Sequence, residues 1–369
     1  MVTHVSSPAR EPNPWDGTAF VAGADEIRTN RPSASVIVTA HDRRPYLRAA
    51  VESVLAQDVD RSTYELIVVK NFVDDGIDSF LDRAGVIRLL CTEQEACRKV
   101  AEGVRVARGG VLFFLDDDDL FESGKLRRVL REFQRDSDLV FCHNQVSFIG
   151  PDGAHLDVKE ARPFGLRTLG RARRVYLANG GDELGMERLA HSRPSFNTSS
   201  VAVRRDLVLA GFPYLLRLEG SRDLFFLYLA LVSGHALLFD EARLTRYRVH
   251  GNNISLTAGT TPETRRAHLL RWATRGQREI RVIREMVLES GNTAVRCQLE
   301  GVGVINELSI VFLSRDSRRK DATRALLQGL RRRRTYAIRE NLPSMVGAAV
   351  FTLSPRLARM VYDRQRSLR

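Results

Sequence analysis

The chain has 369 residues, 43% hydrophobic and 28% charged, with a formal net charge of +12 at pH 7. That length supports two domains or one enlarged α/β domain, and the composition excludes general disorder. The excess of base calls for an anionic partner, and nucleic acid, an acidic membrane surface and a nucleotide diphosphate all satisfy it. Cys91, Cys97, Cys142 and Cys297 form no CxxC pair and have no accompanying histidine cluster. They read as small buried hydrophobes in a reducing compartment, not as zinc ligands. No uncharged apolar run reaches the roughly 18 residues that a spanning helix needs. Met1 to Arg31 lacks the apolar core of a signal peptide, and residues 1–32 read as a poorly ordered leader or a surface strap.

Regular structure begins at Ser35. Ser35 to Thr39 is a β-branched strand, followed by the polar loop Ala40-His41-Asp42-Arg43-Arg44 and by Pro45 at a first helical turn. Leu47, Ala50, Val51, Val54 and Leu55 then recur at helical spacing. Tyr64 to Val69 gives a second strand ending at Lys70-Asn71, with a turn-prone Asp74-Asp75-Gly76 beyond it. Val86 to Leu90 gives a third strand, and Glu95 to Arg108 a helix closed by Gly109-Gly110. Val111 to Leu115 is an apolar run short enough for a strand buried on both faces, and it leads directly into Asp116-Asp117-Asp118-Asp119. A helix from near Ser123 follows, with Leu126, Val129, Leu130 and Phe133 on one face, then strands over Leu139 to Cys142 and Val146 to Phe148. This alternation predicts a mostly parallel sheet with helices on both faces, which binds its ligand beyond the carboxyl ends of the strands. His41 to Arg43, Lys70 to Asn71 and Asp116 to Asp119 should therefore line one crevice.

Adjacent carboxylates repel and raise one another's pKa unless a cation sits among them. A hard divalent metal with oxygen ligands suits them, and Mg²⁺ in particular takes one or two carboxylates plus substrate phosphates. The cluster predicts a metal site facing a diphosphate; the bland alternative is a solvated acidic turn.

On these residues the chain resembles the inverting glycosyltransferases of family 2 over about residues 34–255. Ser35 through Leu47 and Ser53-Val54-Leu55-Ala56-Gln57 match the family's first strand, loop and helix, and Phe114-Leu115-Asp116-Asp117-Asp118-Asp119 looks like its metal-binding DxD segment. The resemblance implies a GT-A fold, Rossmann-like, followed here by a mainly α-helical C-terminal region. It implies an enzyme that uses Mn²⁺ or Mg²⁺ to transfer a sugar from a nucleotide-diphospho-sugar to a hydroxyl. Asp118 would be the direct metal ligand, with Asp116 and Asp117 contacting the ribose or donor sugar or supporting the metal. Ala40, His41, Asp42 and Arg43 would line the donor site.

Lys70 and Asn71 stand where the family usually has two aspartates. Asn71 can still donate and accept hydrogen bonds toward the nucleotide, and Lys70 can meet a phosphate. The family's arginine before the DxD strand is not in its place, and Lys99, with Arg98 the alternative, is the cation expected to face the diphosphate. Residues 154–195 are basic and weakly periodic and read as the acceptor side, and Ser199 to Arg205 as a strand turning into a helix. Asp223 matches the aspartate of the family's ED pair and is the expected base, with Arg222 replacing the glutamate; otherwise it is an ordinary first-turn acid. Thr245 to Ser255 resembles the segment closing the site, in which Arg248 would approach the diphosphate and His250 the metal.

The catalytic region is thus expected over residues 33–260 and a basic helical region over 261–369. There Val302 to Leu313 is apolar but interrupted by Asn306 and Glu307, and Arg331 to Arg334 precede an apolar run, Leu342 to Leu353. That run is too short to span a bilayer but can lie in its interface, so residues 331–360 are expected to contact a membrane peripherally. The alternative is a helical bundle capping the catalytic region. A cytoplasmic location, on the inner face of the cell membrane, and a lipid-linked or surface glycan acceptor follow, with no nucleic-acid partner. The rivals are a nucleotidyltransferase, disfavoured because Ala40 to Arg44 contains no glycine, and an inactive scaffold serving as a basic adaptor.

Overall fold

The computed structural model describes residues 31–42, 44–157, 174–182, 185–186, 197–250, 261–335, 338–339, 341–358 and 360. Nearly all of the expected leader, Arg43, most of the 154–195 segment and residues 251–255 lie outside the described residues. The chain begins β1 (Ala34–Ala40), α1 (Arg44–Leu55), β2 (Tyr64–Lys70), α2 (Asp75–Arg83), β3 (Ile87–Leu90), α3 (Ala96–Val106) and β4 (Val111–Asp116). It continues through β5 (Leu120–Phe121), α4 (Lys125–Arg135), β6 (Leu139–Ile149), β7 (His155–Leu156), β8 (Val175–Leu177) and β9 (Val201–Arg204). Next come α5 (Arg205–Ala210), α6 (Phe212–Leu215), α7 (Arg222–Val232) and β10 (Ala236–Arg248). The helical region comprises α8 (Pro262–Glu289), α9 (Thr293–Leu313), α10 (Arg319–Arg331) and α11 (Leu342–Leu353).

The sheet runs β3-β2-β1-β4-β9-β6-β10-β5, with β7 on β6 and β8 on β10. β3, β2, β1 and β4 are mutually parallel, as the alternating pattern requires, while β9 enters antiparallel between β4 and β6. The sheet is therefore mixed rather than mostly parallel. In register, Thr39 lies beside Asp116 and Ala40 beside Lys70, so β1, β2 and β4 end together.

Period-two alternation divides the core. Val36 and Val38 of β1 pack with Leu47 and Val51 of α1 and Leu126 of α4 on one face. Ile37 joins Cys97, Val100 and Phe226 on the other. Ile280, Ile283 and Met286 of α8 and Leu299 of α9 belong to that second cluster, so the first half of the helical region shares the core of the sheet. The end of α9, with Leu308 and Phe312, and the later helices, with Met345 and Phe351, form a cluster of their own.

Three local expectations change. The two strands expected over Leu139 to Phe148 are one, β6, because its polar centre finds partners within the sheet: the Asn144 side chain donates to Thr245 Oγ1 at 3.0 Å. The turn expected at Asp74-Asp75-Gly76 is a helix start, since Asp74 accepts from the Ile77 N–H at 3.0 Å and caps α2. The strand expected from Ser199 begins at Val201, after a 3₁₀ turn over Thr198–Ser200. Asn306, which interrupts the apolar run of α9, donates its amide to the Ala273 carbonyl at 2.7 Å and is satisfied against α8.

Gly109, between α3 and β4, is fixed by space: a Cβ there would fall inside contact distance of the Ala34 and Ser35 backbone. Since neither partner is a flexible side chain, Gly109→Ala is expected to cost about 1–3 kcal/mol, read as a lowered denaturant midpoint at unchanged slope.

Candidate active site

The end of β4 delivers four successive carboxylates, and each finds a different partner. Asp116 Oδ1 accepts from Thr39 Oγ1 at 3.3 Å and pairs with Arg222 Nη1 at 2.9 Å, while Nη2 reaches Oδ2 at 3.2 Å. Asp117 accepts from the His41 N–H at 3.1 Å. Asp118 Oδ2 stands 3.1 Å from His250 Nε2. Asp119 accepts from Ser199 Oγ at 2.6 Å and from the Arg248 N–H at 3.0 Å.

The electrostatics follow from this assignment. Burial, with the charges of Asp118 and Asp116 added, raises the Asp119 pKa well above the ordinary carboxylate value. Burial also works against the charge on Arg222, yet Asp116 holds the guanidinium pKa above its usual value. Lys125, whose pKa burial lowers, donates to the Ser199 carbonyl and to Thr245 Oγ1 at 2.9 Å. It thereby ties the turn that supports Asp119 to β10.

The ends of β1, β2 and β4 lie side by side. Asp42 adopts a left-handed φ of 55°, a conformation that Asp tolerates better than most residues, and its N–H donates to Asn71 Oδ1 at 3.0 Å. Asn71 Nδ2 returns a bond to Asp42 Oδ1 at 3.2 Å, so the ends of β1 and β2 are stitched together beside the His41–Asp117 bond. Ala40 buries its methyl in the core and offers this junction only its backbone.

Three expected contacts are corrected. Lys99 is 1% exposed and donates to the Glu93 carbonyl and toward His41 Nδ1 at 3.1 Å, so it holds the β1 loop from beneath instead of facing a diphosphate. Lys70 is buried against Asp78 at 2.7 Å and is equally withdrawn from any phosphate. The Arg248 guanidinium donates to the carbonyls of Asp118 at 2.8 Å, Gly150 at 3.1 Å and Pro151 at 3.0 Å and lies over the Tyr46 ring. It is a brace for the Asp118 backbone.

Asp223 is half-buried in the first turn of α7 and accepts the Leu224 N–H at 2.9 Å. Burial raises its pKa, against the opposing pull of that N–H and of Arg222. For a metal, no group of three or more His, Cys, Asp or Glu is arranged as a complete cage among the described residues. Asp118 and His250, with one oxygen and one nitrogen 3.1 Å apart, are the residues that would hold a divalent metal, and the imidazole makes this partial set a better fit to Mn²⁺ than to the oxygen-seeking Mg²⁺. Asp116, also expected as a ligand, is instead engaged by Arg222 and Thr39.

Sequence reasoning missed Thr39, Tyr46 and Ser199, ordinary residues whose roles arise from register and packing. It noted Arg222 only as an irregularity, although a lone cation set against a surplus of carboxylates was the available signal.

Residues 35–206 match the family model described as Glycosyl transferase family 2. Those residues are a family 2 glycosyltransferase domain. The chain is 22% identical to EpsH of Bacillus subtilis (strain 168) over 231 residues, 60% of this chain and 62% of that one. It is 29% identical to TuaG of the same organism, a teichuronic acid biosynthesis glycosyltransferase by name, over 133 residues, 34% of this chain and 52% of that one. The alignments thus span less than two thirds of either relative. A crystal structure of S. aureus TarS 1–349 in complex with UDP-GlcNAc superposes with a TM-score of 0.49 at 12% identity, covering 88% of this chain and 92% of that chain. The matched residues end before α7, so Arg222, Asp223, Arg248 and His250 lie beyond them.

Arg222→Ala leaves Asp116 with Thr39 as its remaining named partner and is expected to cost about 2 kcal/mol, with Lys restoring part of the loss because it keeps the charge without the fork. Denaturant midpoints of the three proteins check this. Equal midpoints would mean that the pair contributes nothing.

Proposed function

We propose that this chain is a metal-dependent inverting glycosyltransferase that moves a sugar from a nucleotide-diphospho-sugar to a hydroxyl acceptor. The observation that carries this reading is the Asp118–His250 pair, 3.1 Å apart at the end of β4 and beside the joined ends of β1 and β2. Membership of residues 35–206 in family 2 supports the donor class.

A divalent metal held by Asp118 and His250 would stabilise the charge that develops on the departing nucleotide diphosphate. Asp223 takes the proton of the acceptor hydroxyl as that oxygen bonds to the anomeric carbon, on the side opposite the breaking bond to phosphate. Its raised pKa makes it a stronger base than an exposed aspartate. Asp117 and Asp116, held by the β1 backbone and by Arg222, face the ribose and donor sugar, and Asn71 offers the nucleotide an amide that donates and accepts. The name of TuaG supports a cell-surface glycan precursor, lipid-linked or free, as acceptor.

The partner of the tail is an anionic membrane surface. From Arg319 to Arg369 there are thirteen Lys and Arg against three acidic residues. α11 buries Met345, Ala348 and Phe351, while Leu342 at 58%, Val346 at 63% and Leu353 at 77% stay exposed on its other side, with Leu357 beyond. No helix among the described residues is long and apolar enough to cross a membrane. An apolar stripe bordered by arginines instead suits the interface of a bilayer on its cytoplasmic side, the helix lying flat and the cations meeting headgroups.

Asp118→Asn and Asp223→Asn are each expected to abolish release of nucleotide diphosphate from the donor, and only Asp118→Asn weakens Mn²⁺-dependent nucleotide binding. Thermal shifts with UDP-, GDP- and dTDP-sugars, with and without Mn²⁺, identify the donor for that assay. Undiminished turnover in either variant removes the role assigned to it. Because the base acts unprotonated and its pKa is raised, turnover falls on acidification at a pH above the ordinary carboxylate range. For the tail, Val346→Glu with Leu353→Glu should cut sedimentation with phosphatidylglycerol vesicles by about tenfold. If binding survives both glutamates, the stripe is not the contact.

A further inference from the structure

The segment Glu219-Gly220-Ser221, which leads into α7 and carries Arg222 and Asp223 at its end, is held from the C-terminal helical region. Glu279, 2% exposed and well inside α8, turns its carboxylate onto this segment. Its Oε1 accepts the backbone N–H groups of Glu219 at 3.0 Å, Gly220 at 2.5 Å and Ser221 at 3.1 Å, and its Oε2 accepts the Ser221 hydroxyl. Arg275, one turn earlier at i−4, lies on the same face of the helix, and Arg278 precedes Glu279 directly. Arg278 pairs with the Glu219 carboxylate at 2.9 Å, and the Arg275 guanidinium lies so close that a Cβ on Gly220 would meet its Cζ at 3.2 Å. From the other side the Cys97 N–H at the start of α3 donates to the Glu219 carbonyl at 3.3 Å.

Two physical points make this more than packing. A buried carboxylate is costly unless hydrogen-bonded, and here three consecutive amides and a hydroxyl converge on it, a set that exists only while the segment keeps this one path. Ser221 is also the N-cap residue of α7, yet it makes no side-chain cap bond, because its hydroxyl is directed to Glu279. The helix forgoes its ordinary cap for a bond to a distant helix. The chain of contacts continues inward from Ser221 to Arg222, which grips Asp116, and to Asp223 beside it.

We propose that Glu279 is a positioning residue: by gathering the amides of Glu219, Gly220 and Ser221 it aims Asp223 at the acceptor and Arg222 at Asp116. The C-terminal helical region then completes the active site from behind. This rests on the reading of Asp223 as the base.

The test uses the full chain with Glu279→Ala, Glu279→Gln and Ser221→Ala. Hydrogen exchange is followed in the peptide spanning residues 217–225, and turnover as nucleotide diphosphate release from whichever UDP-, GDP- or dTDP-sugar most stabilises the wild type with Mn²⁺. In Glu279→Ala the three amides should exchange about tenfold faster or more, and kcat should fall at least about tenfold while the donor KM stays within about threefold, as misaimed catalytic groups produce. Glu279→Gln retains a carbonyl oxygen for the amides and should recover most of both properties. Ser221→Ala, which removes one bond and leaves the fold intact, should show a smaller loss of the same kind. Unchanged exchange in Glu279→Ala overturns the proposal, and so does a lowered melting temperature with wild-type kcat per folded molecule, which would mark plain packing. Should Glu279→Ala fail to fold, wild-type exchange and kcat in both other variants overturn it equally. A wild type that releases nucleotide from no donor, while the exchange difference stands, sinks the transferase reading and leaves the clamp itself supported.

Discussion

Four carboxylates in sequence at one strand end are a physical problem before they are a site. At about 4 Å, like charges cost on the order of several kcal/mol at the effective dielectric of a protein surface, and the fold answers by giving each its own partner. Asp116 takes Arg222 from α7, Asp117 the His41 amide after β1, Asp118 the His250 imidazole beyond β10, and Asp119 the Ser199 hydroxyl before β9. Four separate parts of the chain are thereby drawn to one point. The cluster orders the crevice as much as the crevice displays the cluster.

What was legible in the sequence was what depends on local pattern. The strand feeding the aspartates, the helix after Pro45 and the adjacency of the parallel strands β1, β2 and β4 all follow from apolar periodicity and from the alternation of strands with helices. Illegible were features that depend on what a residue meets across the sheet. Nothing local distinguishes the Ser199 hydroxyl, which supports Asp119, from that of Ser200 beside it, nor shows that His143-Asn144-Gln145 can remain inside a strand. Lysines misled for the same reason. Lys70 and Lys99 look like phosphate ligands on paper, but each is buried with acceptors of its own.

The departures from the family pattern also make sense together. Arg222 takes the place of an acid at the mouth of α7, and the charge it brings is spent on Asp116, the first of the four acids. One cation of the site is therefore part of the chain itself. Under the proposed function, Asp118 and His250 would be the pair to hold an exchangeable one.

The distribution of charge separates two tasks that composition alone merges. With thirteen basic and three acidic residues between Arg319 and Arg369, the tail carries all but two of the twelve net charges, and the first 318 residues are close to neutral. A nearly neutral catalytic region does not attract a diphosphate by a broad positive field, so under the proposed function its affinity for the donor would come from specific groups at short range, such as a metal and oriented backbone amides. The broad field belongs to the tail, where it is useful against a surface of many charges. The two halves nevertheless do not separate mechanically, because α8 contributes both to the core behind the sheet and, through Glu279, to the segment that bears Asp223. A tail resting on a bilayer would therefore hold the acceptor-side machinery at a fixed attitude to that bilayer, which is the geometry that transfer to a membrane-bound hydroxyl requires.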